Sequence, residues 1–264
     1  MSKTEPLQDK PDLLVSCGLN DQWVACGGVG CLVLVKEGKV KTIHPLDKKI
    51  ITSMNKVNDI LLAGTSLGEI LSWKIPDLLT GASIPNNLAH PFKDPFPVVG
   101  IMPVSNKVYI IGEDASIFEL FSQEVVQKPI KGIRITSPLV SSSQRILYLG
   151  GSKTLYEGVT SREVHYFGMI DLTSVDKSVK EISIPDNTFS ETSLYGVSGT
   201  GDCWVGGFSG TLLLWSHSQW YKIHLGIGNH LLSLAEKDGY VVITGKQGAL
   251  RFEKISYIQK GIKA

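Results

Sequence analysis

The sequence has little on which chemistry could be built. Its four cysteines (Cys17, Cys26, Cys31 and Cys203) are too few for a disulfide framework, and each sits in an apolar run. Cys26 and Cys31 are five apart, without the second close pair or short-spaced histidines that a structural zinc site uses. Buried, reduced thiols are the expectation. No Asn-x-Ser/Thr sequon occurs, and the first ten residues lack the apolar core of a secretory leader, so a reducing intracellular compartment is expected. No apolar run approaches the roughly 20 residues of a membrane span, and no membrane association is expected. Excess charge of one sign is also missing. Lys plus Arg total 26 and Asp plus Glu 25, a net of +1, so no global field would hold nucleic acid. A local face with Lys246, Arg251 and Lys254 is the remaining route to that partner.

Catalytic signatures are absent as well. The histidines at 44, 90, 165, 217, 224 and 230 include no i, i+2 pair that would share one face of a strand. Gly207-Phe208-Ser209-Gly210 is one residue short of a nucleophile elbow. The glycine-rich segments 27–30 and 196–201 run into strands, whereas phosphate-cradling loops open helices. Glu113, Asp114 and Asp186 lie in turns with no sign of a shared cleft. The reading is no enzyme, no catalytic residue, no metal and no cofactor.

What the chain does have is a recurring hairpin. Asp202-Cys203-Trp204-Val205-Gly206-Gly207 leads through Phe208-Ser209-Gly210 into Thr211-Leu212-Leu213-Leu214-Trp215, two apolar runs around a glycine-containing loop. Similar units begin at Gln22, Asp59, Lys107, Arg145 and Tyr240. The glycines that close their first strands fall at 27, 64, 112, 150, 206 and 245, giving spacings of 37, 48, 38, 56 and 39. One four-stranded propeller blade takes roughly 40 to 45 residues. An all-β fold follows: a single β-propeller of about six blades, or seven, over residues 12–260, preceded by a polar tail at 1–11.

Two stretches break the rhythm. Lys74 to Pro97 carries five prolines and reads as one helical turn (76–81) followed by an exposed loop. After Gly151 two segments compete for the third strand of the fourth blade, 154–158 and 164–172, so an insertion is expected there, with the outer strand at 179–184. A short terminal segment either completes the sixth blade or joins another.

Gly68-Glu69-Ile70-Leu71-Ser72-Trp73 and Gly210-Thr211-Leu212-Leu213-Leu214-Trp215 resemble the third strand of WD-repeat blades. Lys74 and Ser216 replace the aspartate that follows tryptophan in that family, and no Gly-His dipeptide opens a blade. The family's polar network is therefore expected to be missing, leaving apolar packing between blades to hold the fold. Within the WD-repeat proteins, the second-blade exit and the Cys203 hairpin are similar to the sixth-subunit family of the THO mRNA-export complex. That resemblance implies a non-catalytic scaffold in a multi-subunit assembly for mRNP biogenesis and export, with protein subunits as partners, indirect or weak RNA contact, and the nucleus over the cytoplasm. A propeller hydrolase with a site in the central channel and a nucleic-acid-binding propeller are the alternatives. Exposed aromatics mark binding surfaces, so Phe92, Phe96, Phe189, Trp220 and Tyr221, in or beside loops, are the candidate partner contacts. The loops 84–97 and 185–191 carry three of them. Trp23 and Trp204 belong to the core by the same pattern.

Overall fold

The computed structural model describes residues 12–81, 84–89, 91, 96–140, 145–185, 195–198, 203–206, 211–224, 231–237, 240–245, 250–254 and 262–263. The fold is all-β, built from small antiparallel sheets.

β1 (Leu13–Gly18) pairs with β2 (Trp23–Lys36), and β2 with β3 (Lys39–Val57). Both long strands double back. In β2, Gly30 stands at φ +70, the Glu37 N–H donates to the Gln22 carbonyl at 3.3 Å, and the Lys36 ammonium lies 5.6 Å from the Trp23 ring centroid. Its two ends are therefore side by side, as the hairpin at 22–35 requires. β3 reverses at Asp47 and Lys48, at φ 44 and 67, the signs of a two-residue type I′ turn. Its second half pairs with β4 (Ile60–Thr65), followed by β5 (Ile70–Lys74), α1 (Ile75–Leu79) and β6 (Asn86–Ala89). The order β1 to β6 thus holds two four-stranded meanders. α1 carries Pro76 in its first turn, where the missing N–H is harmless, and ends before Gly81 at φ +80. The stretch after it is not only loop: Asn86 and Asn87 pair with Ser72 and Leu71, making β6 the outer strand of the second blade.

β7 (Val98–Val104), β8 (Lys107–Gly112), β9 (Ile117–Glu119) and β10 (Glu124–Gln127) form a four-stranded sheet. A second comprises β11 (Ile133–Val140), β12 (Ile146–Glu157), β13 (Thr160–Asp171) and β14 (Lys180–Glu181). No insertion separates β12 from β13. β12 and β13 pair without interruption from Ile146↔Asp171 to Glu157↔Thr160, so both candidate third strands belong to one long hairpin. β15 (Tyr195–Ser198), β16 (Cys203–Gly206), β17 (Thr211–Ser216) and β18 (Gln219–His224) form the next sheet, and β19 (Leu231–Lys237), β20 (Tyr240–Gly245) and β21 (Leu250–Lys254) the last. The terminal β22 (Ile262–Lys263) pairs with β18, extending the sheet of β15 to β18 outward.

The chain divides into two compact units. One takes residues 1–103, 108–112 and 119–123, the other 104–107, 113–118 and 124–264. In the first, Ala25, Leu32 and Leu34 of one meander pack with Ile51, Leu61, Ala63, Leu71 and Trp73 of the next, and α1 adds Ile75 and Leu78. Each leucine or isoleucine among them, fully buried, stabilises by about 1.5–3 kcal/mol. Approach between the meanders is close enough to require glycine. A Cβ on Gly27 would lie 2.7 Å from Ile51 Cγ2, and one on Gly64 would lie 2.4 Å from Val98 Cγ1. Two of the periodic glycines are therefore sockets for the inner strand of the following sheet. Polar side chains lock the same seam: the Thr52 and Ser53 hydroxyls both donate to the Val98 carbonyl, at 2.7 and 2.9 Å, and Asn55 Nδ2 donates to that of Ile101 at 3.0 Å.

Trp73 is wholly buried, and its Nε1–H meets no acceptor among the described residues. In the second unit, Tyr148, Phe167 and Ile182 pack against Cys203, Val205, Leu213 and Trp220. Phe167 lies 5.6 Å from the Tyr148 ring and meets Trp220 edge-on at 5.1 Å.

Candidate functional site

The hairpin of β12 and β13 has two halves of opposite character. Near the strand entrances Leu147, Leu149, Tyr166 and Ile170 are buried. Beyond Lys153 and Val164 the side chains emerge, with Tyr156 67% exposed and Val159 at the tip fully so. Gly158 sits at φ +66, the first central position of a two-residue turn for which glycine is preferred. The flanking strands stop short of this tip. β11 reaches only Lys153, opposite Ile133, with one further bond from the Thr154 N–H to the Gly132 carbonyl at 2.7 Å. β14 covers only Gly168 and Met169, with one further bond from the Ile182 N–H to the Phe167 carbonyl at 2.8 Å. By contrast, the corresponding outer strand β18 covers β17 over six pairs, from Thr211↔His224 to Ser216↔Gln219.

Charges around the projecting half are balanced within the chain. Arg162 Nε lies 3.1 Å from Glu157, Lys153 Nζ 2.7 Å from Glu181, and Arg134 Nε 2.6 Å from Glu113. The Ser152 hydroxyl bonds to Glu163. The Glu113 carboxylate bonded to Arg134 raises that guanidinium above its ordinary value, so it stays charged. Exposed pairs of this kind contribute about 0–1 kcal/mol each, and they leave side chains that exchange partners at little cost.

The sequence-derived contact residues are scattered. Phe96 is exposed beside Pro97 at the entrance to β7. Tyr221 is half-buried in β18. Trp220 is not a surface residue: it is 6% exposed, its ring packs on Phe167 and Trp215, and its Nε1–H donates to the Ser183 carbonyl at 2.8 Å. The reason is strand alternation, which turns Trp220 inward opposite Trp215. Phe92, Phe189, Asp186 and Lys246 lie outside the described residues, as do the side chains of Arg251 and Lys254. Trp204 is buried, whereas Trp23 is partly exposed under the Lys36 ammonium.

All four cysteines are free. Cys31 and Cys203 are buried as expected, whereas Cys17 and Cys26 are only half-buried; desolvation pushes the Cys17, Cys26 and Cys31 thiols up, which favours their protonated form. Among the described residues, no group of three or more His, Cys, Asp or Glu is placed to hold a metal ion, and no helix is long and apolar enough to cross a membrane.

The sheets, their order and their glycine seams define a β-propeller. No family model matches the chain, and no curated protein matches it. Among solved structures, it is similar to YCF48 bound to D1 peptide, with a TM-score of 0.69 and 15% identity, covering 96% of this chain and 84% of that one. The WD40 domain of Toxoplasma gondii coronin gives 0.65 at 13% identity, over 92% and 70%. The computationally designed Ika8 protein gives 0.60 at 15% identity, over 92% and 84%. Identities this low speak for the fold alone.

Proposed function

We infer that the chain is a non-catalytic interaction scaffold that holds protein partners within a multi-subunit assembly. The observation that carries this is the projecting end of the β12–β13 hairpin: an exposed, regular platform held on a rigid sheet, where a partner would find Tyr156, Val159 and Arg162 already ordered. Propellers commonly serve as binding scaffolds, and the solved complex of YCF48 with a peptide is an instance in a structurally similar protein. The narrower assignment, to mRNP biogenesis and mRNA export in the nucleus, is carried by the sequence resemblance to the THO sixth-subunit family. In that assignment RNA contact is indirect or weak, in keeping with the net charge of +1.

The test is affinity purification of the tagged full chain from its own cells at moderate salt, with and without nuclease. A fixed set of RNA-processing proteins that survives nuclease is the expected result. A stable set unrelated to RNA would overturn the mRNP assignment while keeping the scaffold. Recovery of the chain alone would overturn both.

A further inference from the structure

Hydrogen bonding in an antiparallel pair alternates, each residue turning its N–H and C=O either toward its partner strand or away from it. The Thr154 N–H points away from β13, since it bonds Gly132. Its opposite residue, Glu163, must then point away from β12, as must Ser161, two residues along. Phe167, four residues further in the same series, does so visibly, accepting from Ile182. Among the described residues, nothing meets the outward N–H and C=O groups of Ser161 and Glu163.

We propose that an extended segment of a partner protein adds as a strand to the outer edge of β13 over residues 160–164, continuing the ladder that β14 begins. Its backbone pairs with Ser161 and Glu163, and it sets an acidic side chain opposite Arg162. Free donors and acceptors two residues apart in a flat ladder match only another extended backbone. Natural edges are usually blunted by proline, a bulge or an inward charge. This one has no proline from Thr160 to Asp171 and no break in register over its whole length. Its two charges, Arg162 and Glu163, are engaged by Glu157 and Ser152, and the exposed Arg162–Glu157 pair opens readily to a competing carboxylate.

The proposal rests on reading the chain as a protein-binding scaffold, and its test separates the two. Selection of a displayed library of short random peptides on the full chain is expected to enrich extended sequences with an acidic residue. Hydrogen exchange on the wild-type complex is expected to slow at the Ser161 and Glu163 amides and stay unchanged at Arg162, whose N–H already faces β12. Binding is expected to fall about tenfold in Arg162→Glu, as for the loss of one charge-assisted contact, and further in the double variant Ser161→Pro with Glu163→Pro, which removes both outward donors. Peptides that protect another segment, or that bind both variants unchanged, overturn the proposal, as does a library that yields no binder. The exchange measurement needs no variant, so it decides even if the proline form does not fold. If Arg162→Glu recovers the same cellular partners as wild type in the same amounts, the strand-addition site fails and the scaffold stands. If wild type recovers none, the scaffold reading itself fails.

Discussion

Replacing Gly64 by alanine is the sharpest test of how the sheets are joined. The new Cβ would lie 2.4 Å from Val98 Cγ1, 2.5 Å from Val98 Cβ and 2.6 Å from Ser53 Oγ. Carbon atoms in contact sit about 3.5–4.0 Å apart, so the two strands must separate by about 1 Å. Val98 cannot turn aside, because its Cβ is itself too close and its carbonyl is held by the Thr52 and Ser53 hydroxyls. Overpacking of this kind costs about 1–3 kcal/mol, and lengthening one of those bonds adds about 1 kcal/mol. We expect a loss of about 2–4 kcal/mol in urea unfolding and a Tm lower by roughly 5–15 °C. Gly18→Ala is the control: a Cβ there has no atom within 4 Å, and it should change stability by less than about 0.5 kcal/mol. In the double variant Gly64→Ala, Val98→Gly the socket is moved across the seam, and the two effects should fall short of additivity by about 1 kcal/mol or more. If Gly64→Ala melts with wild type, or the two substitutions add, the socket account is wrong.

Three further outcomes follow from the second unit and the thiols. Trp220→Ala should cost about 3–5 kcal/mol, whereas Trp220→Phe, which keeps a ring against Phe167 but loses the bond to Ser183, should cost less; thermal melts compare them, and a neutral alanine variant would return Trp220 to the surface. Burial, helped by the nearby Glu181 charge, pushes the Tyr166 phenol up to about 12. The unfolded chain ionises this group near 10 while the folded chain keeps it neutral, so stability should fall as pH rises between those values, and Tyr166→Phe should flatten that part of a denaturation-versus-pH curve. Cys17, Cys26 and Cys31 should react with a thiol reagent at pH 7 far more slowly in the native chain than after denaturation, and fast native labelling at any of them would contradict their burial-raised values.

Much of the architecture could be read from the spacing of glycines, yet the reason for two of those glycines could not. Gly27 and Gly64 read only as the glycines that close the first strand of a hairpin. Their actual constraint is a side chain that is distant in sequence, Ile51 or Val98. The residues that do turn with positive φ include Asp47 and Lys48, whose types gave little notice. β6 escaped detection because Asn86 and Asn87 carry no apolar alternation; it is held by backbone pairing and by polar contacts with Ser72 and Glu69. Trp220 was misplaced because nearness to a loop says little about facing, which the register with Trp215 decides. The hairpin tip was more legible than its reading suggests. Gly158-Val159 between two four-residue runs is a two-residue turn signal, and an expected insertion obscured it.

The sockets also have a direction. Gly27 receives a residue from the sheet that follows it in sequence, and Gly64 does the same with the next. A stretch from one such glycine to the next therefore carries a recess at one end and the piece that fills its predecessor at the other. Units of that kind can be copied or deleted whole without redesigning either neighbour, since each junction remains a matched pair. Gene duplication would need to invent no new contact to lengthen the series. That is a physical route by which glycine would be kept at Gly27 and Gly64 while much of the sequence around them changed.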